Sequence, residues 1–427
     1  MAGLYIHIPF CKSRCIYCGF YSTTHLDLRQ RYVDALCREM ELRRHKGDGS
    51  ICVMGMTQRE PSPIGTIYLG GGTPSQLSIE QLRQLFLYIN KVYPLTSNTE
   101  ITIEMNPDDV TFAYAEALQQ IGINRVSMGA QTFDDERLRF LHRRHTAAQV
   151  AQAVKILREA GIQNISVDLM YGFPHETLDD WQRDIDAALV LNVEHLSAYC
   201  LMIEEGTVLY EKMRNEKMRN EEMTQMEPFP LCDEELERAM YEMLMDKLTA
   251  VGYEHYEISN FARPGFRSRH NSSYWHDVPY IGLGAAAHSY SIPGGGTAGH
   301  SNQSRTAVRS WNVSDIRQYI AAIEKGELPC EREEIDDDTH YNDRITTALR
   351  TKDGLDLTTL SDRHRHYCLK EAQRFIDDGL LQLHKGDGSC CVMPMTQKNR
   401  PQDALRLSLT RKGLFVSDMV MSSLMLV

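Results

Sequence analysis

The chain has 427 residues, of which 42% are hydrophobic and 24% charged, a composition typical of a globular protein with two or three domains. Its formal net charge of −12 argues against nucleic acid as a partner, because non-specific binding depends on Lys and Arg neutralising phosphates. No apolar run reaches the roughly 20 residues that cross a bilayer, and the N-terminus lacks the pattern of a signal peptide. We therefore expect a cytoplasmic, reduced protein whose eleven cysteines are thiols or ligands.

Short apolar runs alternate with amphipathic helical patterns through the first half of the chain. The strand-like runs are 3–9, 65–72, 99–107, 123–131, 164–172 and 193–202. Helical patterns such as 78–93 and 146–161 lie between them. This alternation predicts an α/β fold with a parallel sheet or barrel, whose active site lies where the strands end. The polar residues at those ends are Glu104, Gln131, Asp168 and Tyr199.

Three cysteines, Cys11, Cys15 and Cys18, follow the first strand with C-x3-C-x2-C spacing. Thiols clustered in this way indicate a metal site. Zinc and iron–sulfur centres usually have four protein ligands, so one donor is missing. A zinc site completed by His7 or His25 is one interpretation, although His7 on an alternating strand is more often a packed or hydrogen-bonded histidine.

A glycine run, "YLGGGTPS" (68–75), follows the second strand. On its own it is most simply a tight turn between a strand and a helix, and it matches neither a P-loop nor a dinucleotide fingerprint. Glycines at Gly71 and Gly72 would also let backbone N–H groups approach a charged ligand closely. Beside the cysteine motif, the ligand-binding interpretation is favoured.

Three segments indicate insertions between regular elements. Residues 45–58 recur at 384–397 with 12 of 14 positions identical, and each copy contains a Gly-Asp-Gly turn signal. We predict that both are surface loops without a metal role for Cys52, Cys390 or Cys391. The tandem repeat at 211–223 predicts a solvated helical insertion.

The last part of the chain has a different pattern. Residues 331–350, 369–381 and 413–425 are predicted to be helical, and 380–383 with 405–410 to form a β-hairpin. Helices with a hairpin suggest a small winged-helix-like α+β domain, and the acidic run at its start argues against DNA binding. The predicted domains are 1–235, a connecting region 236–300, and a C-terminal domain 301–427.

The cysteine spacing directly after a first strand resembles the signature of the radical S-adenosylmethionine (AdoMet) superfamily. In that superfamily three cysteines hold three irons of a [4Fe–4S] cluster, and the amino and carboxylate groups of AdoMet chelate the fourth. Tyr17 stands where the superfamily commonly has an aromatic residue. The resemblance implies a partial (β/α)6 TIM-type barrel, a cluster bound by Cys11, Cys15 and Cys18, and an electron donor as a partner.

Further motifs resemble one branch, the HemN/HemW family, which contains oxygen-independent coproporphyrinogen III oxidase and haem chaperones. The positions that the resemblance assigns to AdoMet are Tyr5, Tyr17, Gly71, Gly72, Thr73, Glu104, Gln131, Arg143 and Asp168. Arg143 is expected on the helix after the fourth strand. Individually, such residues are more often solvated or helix-capping polar groups, and the basic run 137–145 is more often a solvated helix face.

The segment "HNSSYW" (270–275) resembles the HNxxYW motif of the HemW group. His270 is predicted to ligate haem iron, and Tyr274 and Trp275 to cover the porphyrin, since imidazole suits iron and aromatic rings suit a flat macrocycle. From the residues alone, a histidine in an aromatic cluster is more often structural. The rival ligands are His255, His276 and His288.

The sequence departs from the pattern of the oxidases in two places, and both departures favour the haem chaperones. The oxidase group typically has another cysteine two places after the third, where this chain has Phe20, and a long segment before the motif, where this chain has ten residues. The resemblance therefore implies a chaperone that carries haem to respiratory haem proteins, with transient membrane-protein contact, rather than an oxidase. The alternatives are coproporphyrinogen III decarboxylation in porphyrin biosynthesis and another radical AdoMet reaction.

Overall fold

The computed structural model describes residues 2–46, 63–214, 232–292, 306–385 and 405–426. Most of each predicted insertion lies outside the described residues, so the surface-loop prediction stays a prediction. None of the described helices is both long enough and apolar enough to cross a bilayer.

Six parallel strands lie side by side in chain order at the centre of a large sheet. They are β1 Ala2–Ile8, β2 Ile64–Gly71, β3 Leu95–Met105, β4 Arg125–Gln131, β5 Asn164–Tyr171 and β6 His195–Cys200. Each lies within a few residues of a predicted strand. Their side chains are mostly buried, as expected where helices cover a parallel sheet and the barrel interior is packed.

Helices follow these strands and cover the outer side of the sheet. They are α1 Arg29–Lys46, α2 Ile79–Val92, α3 Phe112–Ile121, α4 Asp135–Phe140, α5 Ala147–Glu159 and α6 Leu178–Val190. Ser78 and Thr146 begin α2 and α5 with capping boxes, which satisfy N–H groups at the helix ends. Gly161 lies beyond the end of α5 with φ of 93°, the left-handed conformation that favours glycine.

Further strands extend the sheet at both edges. Next to β1 come β9 Tyr280–Leu283, β10 His288–Ser291, β11 Ala307–Asn312 and β12 Cys330–Ile335, and beyond β6 come β8 Asn260–Ala262 and β7 Glu254–Glu257. The accompanying helices are α7 Glu234–Ala250, α8 Arg269–Trp275 and α9 Ile316–Glu324. The prediction of helix from residue 331 is wrong for β12, because this charged, exposed segment is an edge strand.

The C-terminal part of the chain forms a second, smaller core. It contains α10 Asp337–Ala348, α11 Asp362–Asp377, α12 Arg411–Leu414, α13 Ser417–Leu424 and a three-stranded sheet of β13 Leu355–Asp356, β15 Leu405–Leu409 and β14 Leu381–Lys385. The predicted hairpin is confirmed as the antiparallel pair β14–β15. The buried residues of this core run from Tyr341 to Leu424, and β11 and β12 belong to the large sheet. The predicted domain boundaries stay a prediction.

A buried polar cluster joins α1 to the β9 side of the sheet. The Glu39 carboxylate is inaccessible to solvent and lies 2.7 Å from Arg43 Nη2. It also accepts hydrogen bonds from Asn312, Tyr319 and the N–H of Gly284. A buried charge is tolerable when paired and fully hydrogen-bonded, and here these bonds fix α1, α9 and β11 relative to one another.

Candidate metal and cofactor site

The loop that carries the three cysteines is fixed by backbone contacts at both ends. Cys11 N donates to Thr23 O at 2.9 Å, and Thr23 N donates to Pro9 O at 2.7 Å. The glycine turn presses against the same segment, since a Cβ at Gly72 would lie 2.7 Å from the Pro9 carbonyl carbon. A side chain at this position would displace the backbone that leads into the cysteine loop.

The cysteine sulfurs lie among polar groups that suit a bound cluster. Cys11 Sγ lies 3.5 Å from Thr73 Oγ1, and Arg143 Nη1 donates to Cys15 Sγ at 3.6 Å. Burial raises the pKa of both Cys11 and Cys18, so these groups are protonated at neutral pH until a metal displaces the protons. A nearby guanidinium offsets the negative charge of metal-bound thiolates.

The geometry does not favour the zinc alternative. No three His, Cys, Asp or Glu side chains of the described chain surround a single ion position. His7, the first suggested fourth ligand, has Nδ1 3.0 Å from Tyr5 Oη and Nε2 3.0 Å from Tyr21 O. A [4Fe–4S] cluster places each thiolate on its own iron, so three thiols without a common ion position fit a cluster better than zinc.

A single cavity of about 600 Å³ contains every predicted cluster and AdoMet residue. Those residues are Tyr5, Cys11, Cys15, Tyr17, Cys18, Gly71, Gly72, Thr73, Glu104, Gln131, Arg143 and Asp168. They come from five strands and the loops after them, and most lie where the strands end, as the sequence predicted. The volume falls within the range of small-molecule sites. Phe20 also lines the cavity and is 71% exposed.

Glu104 connects the glycine turn to the interior of the barrel. Its Oε1 accepts a hydrogen bond from Tyr68 Oη at 2.8 Å, and its Oε2 accepts one from Gly71 N at 3.1 Å. Burial raises the pKa of Glu104 to about 7. A cationic ligand such as an amino group would favour the ionised carboxylate.

Arg143 lies after α4, in the loop before α5, so the prediction that it lies on a helix is wrong. The preceding residue, His142, has φ of 59° and turns the chain towards the cavity. Arg143 Nη2 donates to Asn106 Oδ1 at 2.8 Å and to Gly129 O at 2.6 Å. These bonds hold the guanidinium beside Cys15.

The cavity floor contains polar residues that the sequence reasoning missed. Arg125 is buried, and its Nε and Nη1 have no hydrogen-bond partner in the described chain. Ser127, Ser166 and Ser197 line the same floor. Ser127 Oγ donates to Asp168 at 3.5 Å, and burial raises the pKa of that carboxyl. The signal was available, because Arg125, Ser127 and Gly129 alternate along β4 and therefore face one side.

His270 lies outside the residues that line this cavity. It is almost completely buried, with Nδ1 2.8 Å from Thr66 Oγ1 and Nε2 2.8 Å from Tyr274 Oη. Burial and Arg125 lower its pKa to about 3, so the ring is neutral. Iron would reach either nitrogen only after one of these contacts broke. The assignment of His270 as a haem ligand stays a prediction.

Comparisons with known proteins identify the family to which the chain belongs. The family model for the radical SAM superfamily matches residues 5–188. "Heme chaperone HemW" of Bacillus subtilis is 35% identical over 368 residues, covering 85% of this chain and 87% of the relative. The protein of the same name from Mycobacterium tuberculosis H37Rv is 30% identical and covers 99% of this chain and 94% of its own length.

Among solved structures, coproporphyrinogen III oxidase (HemN) of Escherichia coli superposes with a TM-score of 0.74 at 20% identity, covering 99% of this chain and 89% of that one. The fold and the cysteine-lined cavity define a radical SAM protein of the α/β class, whose cofactors in that superfamily are a [4Fe–4S] cluster and AdoMet. Within that superfamily, the chain belongs to the HemW family.

Proposed function

We propose that the protein is a cytoplasmic haem chaperone, which binds haem and passes it to haem proteins of the respiratory chain. The observation that carries this proposal is the 35% identity to a protein named heme chaperone HemW over 85% of the chain. Phe20 supports it, because the oxidases typically have a cysteine at this place. Acceptors in the membrane would require only transient contact.

For the cofactors, we propose that Cys11, Cys15 and Cys18 hold three irons of a [4Fe–4S] cluster, and that AdoMet occupies the adjoining cavity. When bound, the cluster and AdoMet supply one-electron chemistry that draws on an external donor. Arg143 offsets thiolate charge from its fixed position beside Cys15. Glu104 offers a carboxylate to the AdoMet amino group.

Haem binding tests the main proposal directly. Purified protein, with and without a reconstituted cluster, is titrated with hemin and followed by absorbance. We expect a saturable complex of one haem per chain, followed by restored activity when the complex meets a haem-free respiratory acceptor. Absence of a stoichiometric complex in both preparations would refute the proposal.

A second candidate is oxidative decarboxylation of coproporphyrinogen III. Arg125 on the cavity floor favours it, because this buried cation has no hydrogen-bond partner for Nε and Nη1 in the described chain, and such donors suit an anionic substrate. Anaerobic incubation of the reconstituted protein with AdoMet, a reductant and coproporphyrinogen III distinguishes the two. Turnover to protoporphyrinogen IX would establish the oxidase, whereas we expect no product.

A further inference from the structure

The four candidate haem-ligating histidines, His255, His270, His276 and His288, differ in how far their ring nitrogens are available to iron. Both nitrogens of His270 are engaged, as described above. His255 Nε2 lies 3.1 Å from Ile258 O, and His276 Nδ1 lies 2.7 Å from Ser272 O. Each of these three histidines therefore uses at least one nitrogen to hold the structure together.

His288, at the start of β10, is the exception among the four. Its side chain is exposed, and neither ring nitrogen forms a hydrogen bond within the described part of the chain. Its ring stacks on Trp311, with centroids 6.0 Å apart and planes at 28°. Partial burial and the positive charge of Arg309 lower the pKa of His288, which favours the neutral imidazole that binds metals.

The strand register places His288 on the same face of the sheet as tyrosines that contact helix α8, which carries the HNSSYW motif. Tyr290, two residues later, pairs with Tyr280 of β9, which in turn packs edge-on against Tyr274 with centroids 4.6 Å apart. Because side chains two apart share a face, His288 and Tyr290 project together. We call Tyr274, Tyr280, Tyr290 and Trp311 the aromatic wall.

The aromatic wall also lies on the face of the sheet that leads to the cofactor cavity. In the parallel pairing of β1 with β9, Tyr5 lies beside Gly282 and Gly3 beside Tyr280. Neighbours in register project from the same face, and Tyr5 lines the cavity. A haem held by His288 would therefore lie on the same face of the sheet as Tyr5.

We propose that His288 is the ligand of the haem iron, that Trp311 holds the His288 ring in place by stacking on it, and that α8 supports this wall without supplying the ligand. This inference rests on the proposed haem binding and names its site. The chemistry is that of imidazole with iron, beside the aromatic rings of the wall. The HNSSYW motif acts here through Tyr274, which His270 positions with its hydrogen bond.

The test is a hemin titration of the full-length protein and of three variants, His288→Ala, Trp311→Ala and His366→Ala. His366 is an exposed histidine on α11 and serves as the matched control. We expect His288→Ala to weaken haem binding at least about tenfold, on the scale of losing a metal-site interaction, and to lose the spectrum of imidazole-ligated iron. Added imidazole should restore that spectrum.

Trp311→Ala should weaken binding while the imidazole signature persists, and His366→Ala should match the parent protein. If the parent protein forms no haem complex, the proposed function fails. If it binds haem and His288→Ala keeps the same affinity and spectrum, only the ligand assignment fails. Loss of the imidazole signature in His270→Asn or in His142→Ala, an exposed histidine of the cofactor cavity, with His288→Ala unaffected, would also overturn the assignment.

Discussion

Several residues of the cofactor cavity are both charged and partly buried. Single substitutions can therefore test their titration and their interactions with a ligand. Glu104, Asp168 and Arg143 are all partly buried, and burial raises the pKa of both acids. Groups of this kind bind a charged ligand without prior reorganisation.

Cys15→Ala should abolish the cluster, because Cys15 is the thiol that Arg143 contacts and the central one of the three. The expected result is loss of the brown absorbance and of bound iron and sulfide after anaerobic reconstitution. Cys37→Ala, which removes a buried thiol of α1, is the control and should retain the cluster. A full [4Fe–4S] complement in Cys15→Ala would disprove the ligand assignment.

Glu104→Gln should change how stability depends on pH in the absence of AdoMet. The folded-state pKa, about 7, lies above the ordinary value of 4.5, so the folded protein binds more protons between these values. The stabilisation from this group is complete below about pH 4.5 and is lost as the pH rises through 7, by at most roughly 1.4 kcal/mol per pH unit.

Denaturant unfolding of the protein without its cofactors, measured between about pH 5 and 8, tests this prediction. The difference in free energy of unfolding between parent and variant should shift in favour of the variant as the pH rises. A constant difference across that range would show that Glu104 does not titrate there.

At the scale of elements, the buried polar cluster around Glu39 connects α1 with the β9–β12 extension of the sheet. Glu39→Ala removes the carboxylate that pairs with the buried Arg43, so it should lower the free energy of unfolding by about 3–5 kcal/mol. Arg31→Ala is the matched control, because Arg31 pairs with Glu324 between the same two helices, α1 and α9, but both side chains are exposed.

Arg31→Ala should lower the free energy of unfolding by no more than about 1 kcal/mol, because exposed ion pairs generally contribute no more than this. Denaturant unfolding of both variants at one pH provides the measurement. Equal effects would mean that burial does not determine the contribution of these pairs.

The central strands were predictable from sequence because parallel strands buried on both sides are continuous apolar runs. The strand β12 was not predictable in the same way. It is an exposed edge strand, and its run of charged side chains is also typical of the solvent-facing side of a helix. Residues at strand ends, such as Glu104 and Asp168, were found because topology alone brings them together. The direction in which Arg125 faces could be predicted from the alternation along β4, but the lack of hydrogen-bond partners for its Nε and Nη1 appears only in three dimensions.

On the scale of the whole molecule, ion pairs connect the core of the large sheet with the C-terminal core. Arg267 pairs with Glu254 of β7 at 2.7 Å and with Asp353, before β13, at 2.8 Å. Arg350 pairs with the buried Glu257 at 2.9 Å. Since these contacts link separate hydrophobic cores, we expect them to couple the opening of the C-terminal core to that of the large one.

Arg267→Met should weaken this connection, because it removes the largely buried cation that pairs with both Glu254 and Asp353. Hydrogen exchange should accelerate across 355–377 and 405–424 more than across β1–β6. Arg365→Met, which removes a mostly exposed pair within α11, should leave exchange unchanged. Uniform acceleration in both regions after Arg267→Met would show that the cores open as one unit.

The position of β1 has a consequence for synthesis on the ribosome. This strand lies between β2 and β9, and its partners on the β9 side are residues 280–283. The cysteine loop follows β1 directly, so one flank of the strand that leads into this loop stays unpaired until residues 280–283 have been translated. At typical translation speeds that interval is roughly 15–55 seconds, during which the barrel of the nascent chain is incomplete beside the cysteine loop.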